Sequence, residues 1–314
     1  MSERGKNTMR KYEDRFRELV DSGEIAELCR RRHTVNVPGT VFGKAHWETC
    51  FYGGWKLQVG RYAGSFWRII DPAGVRRARG RNRAQLEAFL NDRPVSISAN
   101  YRDAGYGFSR YPGNGDATAV LIHGWGVRAF SMTLLAKMLR REGYSVLNYD
   151  YPSSEQGIEA HAERFLACYR REAPAGKIYF LTHSMGGLIL RHAMAKMTEA
   201  ECRAIDAIVM LGPPNGGSWL AFFGRSPMVK LFNASLGDMA PGAPTLDIPA
   251  PAWLPPVGII AGKMDGKVPF ASTALPAGMS FRRERVLATH PGLRRPSRTG
   301  ELILQFFRHK NFDL

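Results

Sequence analysis

The sequence predicts an α/β protein: a mostly parallel sheet with helices on both faces, preceded by a small N-terminal α+β module. Three observations carry this. From about residue 99 onward, apolar runs without polar alternation take turns with amphipathic stretches, and before that point short aromatic-rich runs are separated by glycines. Size agrees, since 314 residues with 44% hydrophobic content can bury one large core without disulfides or metal.

The first region, residues 1–98, opens with Tyr12, Phe16, Leu19, Val20 and Leu28 at helical spacing among charges, broken by Ser22-Gly23. HWETCFYGG, WKLQVG and SFWRIID follow, closed by Asp71-Pro72-Ala73-Gly74. Glycine and Asp-Pro supply turns, and Trp, Tyr, Phe and Val suit a half-buried pleated surface, so these read as β-hairpins. RNRAQLEAFLND (81 to 92) reads as one more helix.

The second region, residues 99–314, carries ATAVLIHGW, SVLNYDYP, KIYFLTHS, AIVMLGPP and VGIIAGKMD as strands buried on both faces. SMTLLAKMLRREG, IEAHAERFLACYRREA and GLILRHAMAKM lie between the first four as helices. Strand, helix, strand in series implies parallel pairing with right-handed crossovers. From about 215 to 256 the pattern dissolves into an insertion rich in Trp, Phe, Met, Leu and Pro. Long irregular insertions in compact domains are commonly binding loops or caps.

Composition narrows the function classes. The N-terminus is charged throughout, and no stretch reaches the uncharged length needed to span a bilayer, so a cytoplasmic protein is expected. Cys29, Cys50, Cys168 and Cys202 are scattered without a CxxC, and no histidine pair has metal-ligand spacing with a third carboxylate. Neither metal nor other cofactor is expected. The net charge of +16, densest in VRRARGRNR, would favour peripheral contact with an anionic membrane, but no nucleic-acid recognition motif accompanies it and no specific nucleic acid is expected. The oligomeric state is left open.

FLTHSMGGLILRHAM (180 to 194) runs from an expected strand into an expected helix, with Ser184 at the break. A serine there can simply cap the helix. A nucleophile is the alternative, because the carboxyl edge of a parallel sheet is where such proteins bind ligands, and the helix N-terminus offers backbone N–H groups to a developing oxyanion. A serine nucleophile needs a base and an orienting acid. Asp265 follows the strand in VGIIAGKMDGKVP, and His290 follows the last short apolar run, RVLATHPG. Asp150, ending SVLNYDYP, is the other acid at a strand end.

These residues resemble a known family. THSMGG is similar to the nucleophile elbow of α/β-hydrolases, in the bacterial lipase and esterase branch, and LIHGWG (121 to 126) to its HG oxyanion loop. LGPPNGGS (211 to 218), AGKMDGKVP and ATHPG resemble the segments that follow in the same order, so the resemblance covers residues 100 to 312. It implies the α/β-hydrolase fold, with Ser184 as nucleophile, His290 as base, Asp265 as the acid, and the backbone N–H groups of Trp125 and Met185 as the oxyanion hole. Thr182 stands where the GxSxG pattern has its first glycine. His123 is expected to support the oxyanion loop, His183 to pack, and His192 to pack or face solvent.

The expected activity is hydrolysis of a carboxylic ester with an apolar acyl group, lipase- or esterase-like, on a small-molecule ester or a lipid. Trp219, Leu220, Phe222, Phe223, Met228 and Leu231 are candidates to line the acyl cleft, or else form the insertion's own core. Acyl transfer to another alcohol would use the same three side chains. A binding or scaffolding protein attached through the basic, Trp-rich N-terminal module is the alternative from a different class.

Overall fold

Near-continuous apolar runs build the centre of a seven-stranded sheet. The computed structural model describes residues 14–23, 25, 47–60, 67–72, 74, 76–80, 83–91, 106–172, 174, 176–218, 221 and 235–313. The chain divides into two compact units, Met1–Arg110 and Tyr111–Leu314.

In the first unit, a helix α1 over residues 14–21 ends at Ser22-Gly23. Four antiparallel strands follow in the order β1 (Trp47–Tyr52), β2 (Trp55–Gly60), β3 (Trp67–Ile70) and β4 (Arg76–Gly80), then helix α2 (Arg83–Asn91). Gly53 and Gly54, at φ +53° and +81°, make the two-residue turn between β1 and β2, since adjacent left-handed positions match the twist of a hairpin. Phe16, Leu19, Leu57, Val59, Trp67, Ile69 and Leu86 form its core. The arginine run is partly structural: β4 closes the sheet's edge, and Arg77 Nε donates to Asp71 Oδ2 at 2.6 Å. Charged side chains on an edge strand discourage pairing with other chains.

β5 (Gly107–Tyr111) carries the chain across the division. The second unit then contributes β6 (Ala117–Ile122), α3 (Thr133–Arg141), β7 (Ser145–Asp150), α4 (Ile158–Glu172), β8 (Lys177–His183), α5 (Met185–Met194), α6 (Glu199–Arg203), β9 (Ile205–Leu211), β10 (Val257–Gly262), β11 (Arg282–Val286) and α7 (Arg298–His309). Their sheet order is β11-β10-β9-β8-β6-β7-β5, with β6–β7, β6–β8, β8–β9, β9–β10 and β10–β11 parallel.

Alternate residues of each central strand serve opposite faces. Ala119, Leu121, Leu181 and Val209 pack with Leu135 and Leu139 of α3 and with Ile303, Phe306 and Phe307 of α7. On the other face Phe180 meets Phe165 and Tyr169 of α4, ring centroids 6.1 and 5.5 Å apart. Helix α5 is buried along its whole length, which explains why LILRHAM is apolar nearly all round.

This topology fixes where chemistry can occur. After β6 the chain turns to β7 on one side, then returns to place β8 on the other, so the loops after β6 and β8 leave the sheet in opposite directions and open a crevice. Register keeps the strand ends level: Ile122 lies opposite Thr182, and His183 opposite Leu211. Among the described residues, no helix is long and apolar enough to cross a membrane.

Candidate active site

Ser184 sits between β8 and α5 with φ +53° and ψ −128°, a region that non-glycine residues rarely adopt and that costs on the order of 1–3 kcal/mol. The surroundings hold it there. Its N–H donates to the Leu211 carbonyl at 2.8 Å, and its own carbonyl accepts the Gly187 N–H at 2.9 Å. Ser184 makes no side-chain capping bond to α5. A sharp turn of this kind needs small neighbours. A Cβ on Gly186 would stand 2.4 Å from the Ile122 carbonyl oxygen, and one on Gly124 would stand 2.8 Å from Ser184 Cβ, so the loop after β6 passes directly against the serine. Thr182, in place of the pattern's first glycine, is fully buried beneath the turn.

Asp265 and His290 are brought together from turns after β10 and β11. His290 Nδ1 and Asp265 Oδ2 are 2.6 Å apart, and both side chains are almost wholly buried. The other oxygen, Oδ1, accepts the N–H groups of Lys267 at 2.9 Å and Val268 at 3.0 Å. Burial by itself raises the Asp265 pKa, but the bond and charge of His290 and these two N–H donors outweigh it, so the carboxyl lies below its ordinary value.

The pair adjoins the serine through two further contacts. His183, next to Ser184, has its Nε2 3.0 Å from the His290 carbonyl oxygen, its ring 4.7 Å from the His290 ring. Gly212 follows Leu211, the residue that anchors the Ser184 N–H, and a Cβ there would lie 3.2 Å from Asp265 Oδ2 and 3.3 Å from His290 Nδ1. Burial, reinforced by the charges of His290 and Arg294, holds the His183 pKa well below its usual value, so this ring is neutral.

The loop after β6 is braced from below. His123 is fully buried; its Nδ1 lies 2.8 Å from the Gly124 carbonyl, its ring stacks on Tyr151 at 4.1 Å, and the Tyr151 hydroxyl donates to the His123 carbonyl at 2.8 Å. Gly126 N–H donates to Ser153 Oγ at 3.0 Å. Asp150 accepts two bonds from Arg128, at 2.9 and 3.1 Å, and one from the Ala129 N–H at 2.8 Å. Burial works against its charge, yet Arg128 and His123 drive its pKa far below the usual range. Asp150 is thereby committed to the loop, not to His290.

Trp125 lies between these braces, half-buried, and Met185 is the first residue of α5, where a backbone N–H has no acceptor within the helix. Trp219, Leu220, Phe222, Phe223, Met228 and Leu231 lie outside the described residues. His192 is buried, its Nε2 2.9 Å from the Thr245 carbonyl. The Arg128–Asp150 brace and the role of Tyr151 were not read from the sequence. Their one signal is the polar Asn-Tyr-Asp ending of an otherwise apolar strand. Among the described residues no cluster of His, Cys, Asp and Glu could hold a metal ion.

The chain is similar to several solved structures and to one protein family. A mature Bacillus licheniformis lipase is 14% identical with a TM-score of 0.48, the match covering 64% of this chain and 94% of that one. A thermophilic esterase from Thermogutta terrifontis, with malate bound, is 16% identical at TM-score 0.46, covering 65% and 93%. A monoacylglycerol lipase from Paleococcus ferrophilus is 16% identical at TM-score 0.44, covering 65% and 98%. No curated protein sequence matches. Residues 119–309 match the alpha/beta hydrolase family, and that span exceeds half of the sequence. The chain belongs to the α/β hydrolase family.

Proposed function

We propose that this protein is a serine hydrolase of carboxylic esters with an apolar acyl group. The observation that carries the reading is the 2.6 Å Asp265–His290 pair lodged against the strained turn that presents Ser184. With Nδ1–H donated to Asp265, the His290 ring keeps its Nε2 lone pair for a proton.

The steps follow from those positions. His290 Nε2 takes the Ser184 hydroxyl proton as Oγ bonds to the ester carbonyl carbon, and the carbonyl electron pair moves onto oxygen. The N–H groups of Trp125 and Met185 receive that oxyanion; one such donor contributes on the order of 3 kcal/mol. Asp265 stabilises the imidazolium formed. Collapse breaks the bond to the alkoxy group, which leaves as the alcohol with the His290 proton, and an acyl group remains on Ser184. Water, deprotonated by His290, repeats the addition and releases the carboxylic acid.

The apolar acyl preference rests on the stretch from Trp219 to Leu231. A series of p-nitrophenyl esters of rising chain length tests both parts. Hydrolysis by the wild type, faster with medium or long acyl chains than with acetate and lost in Ser184→Ala, is the expected result. Hydrolysis that persists in Ser184→Ala rules the serine out.

A further inference from the structure

Ser184 follows the carboxyl end of β8, and the sheet places β6 on one side of that strand and β9, β10 and β11 on the other. These strands run parallel, so the segments that follow them emerge at the rim where the serine lies. Large apolar side chains are exposed there. Among the described residues five such side chains stand well out, and four lie on these segments: Phe130 and Leu134 after β6, 43% and 55% exposed, Met264 after β10, 54%, and Leu287 after β11, 78%. The fifth, Trp253, has the Arg203 guanidinium over its ring at 3.9 Å. Single apolar residues scattered over a surface are ordinary, but their concentration at one rim is not. Met264 and Leu287 are neighbours, because the Lys263 N–H donates to the Val286 carbonyl at 2.8 Å and the Met264 N–H to the Ala288 carbonyl at 3.1 Å. Phe130 and Leu134 lie one helical turn apart where α3 begins.

The accessible charge of the same rim has one sign. Lys263 and Lys267 are exposed on the turn that carries Asp265, and Arg283 and Arg285 are exposed on β11. Both guanidinium groups lie over the Phe270 ring, 3.9 and 4.6 Å from its centre, so two like charges are held side by side. Among the described residues no carboxylate pairs with any of these four cations. Asp265 is bonded to His290, and Glu284 is half-buried with Oε1 accepting the Arg285 N–H at 2.8 Å. Residues 257–297 contain no other acid, and residues 124–134 contain none. Crowded like charges of this kind favour a surface that presents many anions at once.

We propose that this rim docks the protein on an anionic lipid surface. Phe130, Leu134, Met264 and Leu287 enter the boundary between headgroups and acyl chains, and Lys263, Lys267, Arg283 and Arg285 meet the lipid phosphates. An acidic protein or a nucleic acid would answer the cations alone, whereas a bilayer offers anions above hydrocarbon. The contact belongs to the second unit, not to the VRRARGRNR run in which the net charge is densest. Its purpose rests on the ester-hydrolase reading: Ser184 takes a water-insoluble ester directly from the bilayer.

Flotation with phosphatidylcholine vesicles, with and without phosphatidylglycerol, tests this, and Ser184→Ala beside the wild type separates binding from hydrolysis. Both proteins are expected to bind anionic vesicles equally, far better than neutral ones, and less at high salt. Lys263→Gln and Arg285→Gln should each weaken binding about 5-fold. Met264→Ser together with Leu287→Ser should weaken it at least about 10-fold. These are exposed positions, so melting temperatures should match the wild type. Arg79→Gln, an exposed site in the arginine run of the first unit, should leave binding unchanged. In the rim variants, hydrolysis of p-nitrophenyl palmitate carried in anionic vesicles should fall with binding, while p-nitrophenyl butyrate in solution is cleaved at the wild-type rate. No binding to anionic vesicles, equal binding to neutral ones, or full binding by the rim variants overturns the proposal, as does a loss confined to Arg79→Gln. The expected binding pattern in a protein that cleaves neither ester would uphold the docking and sink the ester-hydrolase reading.

Discussion

At Ser184, the φ of +53° is held in a turn whose close packing depends on the glycines around it. Gly186 is the tightest of these, its missing Cβ falling 2.4 Å from the Ile122 carbonyl oxygen and 2.7 Å from that of His123. Both obstacles are backbone, so neither can swing aside. Gly186→Ala is expected to cost about 1–3 kcal/mol, seen as a lower denaturant midpoint at unchanged slope. An unchanged midpoint would mean the turn is looser than these distances require. Asp265 makes a different kind of contribution. Asp265→Asn keeps the side chain's shape but removes the charge that pairs with the imidazolium, and the rate of ester hydrolysis should fall about 10⁴-fold. A loss below tenfold would argue that another group orients His290.

Among the elements, the loops that leave the sheet edge were easiest to anticipate where a buried strand runs straight into turn residues. β6, β7, β8, β9 and β10 are legible as apolar runs because both faces of each are covered. Ser184 and Asp265 were legible for a related reason, since each follows such a run in a turn, whereas His290 follows the edge strand β11 and was singled out only by its third place in the order serine, aspartate, histidine. β4 and β11 were not. RRARG and RRERV are arginine-rich edge strands, so nothing in their hydropathy separates them from loop. The brace under the loop after β6 was hidden for another reason: Arg128 and Asp150 are 22 residues apart and belong to no periodic pattern. That brace makes its own prediction. Asp150→Ala would leave the half-buried Arg128 side chain and the Ala129 N–H without their acceptor, at a cost of about 1.5–3 kcal/mol. Thermal unfolding should show a clear fall in melting temperature. Equal melting temperatures for Asp150→Ala and the wild type would remove the loop-anchoring role.

Across the whole molecule, burial sets the response to acid. Burial lowers the pKa of His123, His161, His183 and His192, that of His161 from 6.5 to about 4. The folded state holds these rings neutral while the unfolded chain takes up protons below about pH 6.5, so the unfolded state binds more protons and gains as pH falls. Stability should be full above that pH and decline toward pH 4. The lowered pKa of Asp265 extends the loss through and below 3.8, and a net charge already at +16 rises further over the same range. A melting temperature that is flat or rises from pH 7.5 to pH 4.5 would contradict this. The central claim concerns one hydroxyl. Intact-mass analysis after treatment with a fluorophosphonate tests it most directly: a single adduct, mapped to Ser184, absent from Ser184→Ala and much slower to form in His290→Ala, is the predicted result, and an adduct on any other residue, or none on the folded wild type, contradicts it.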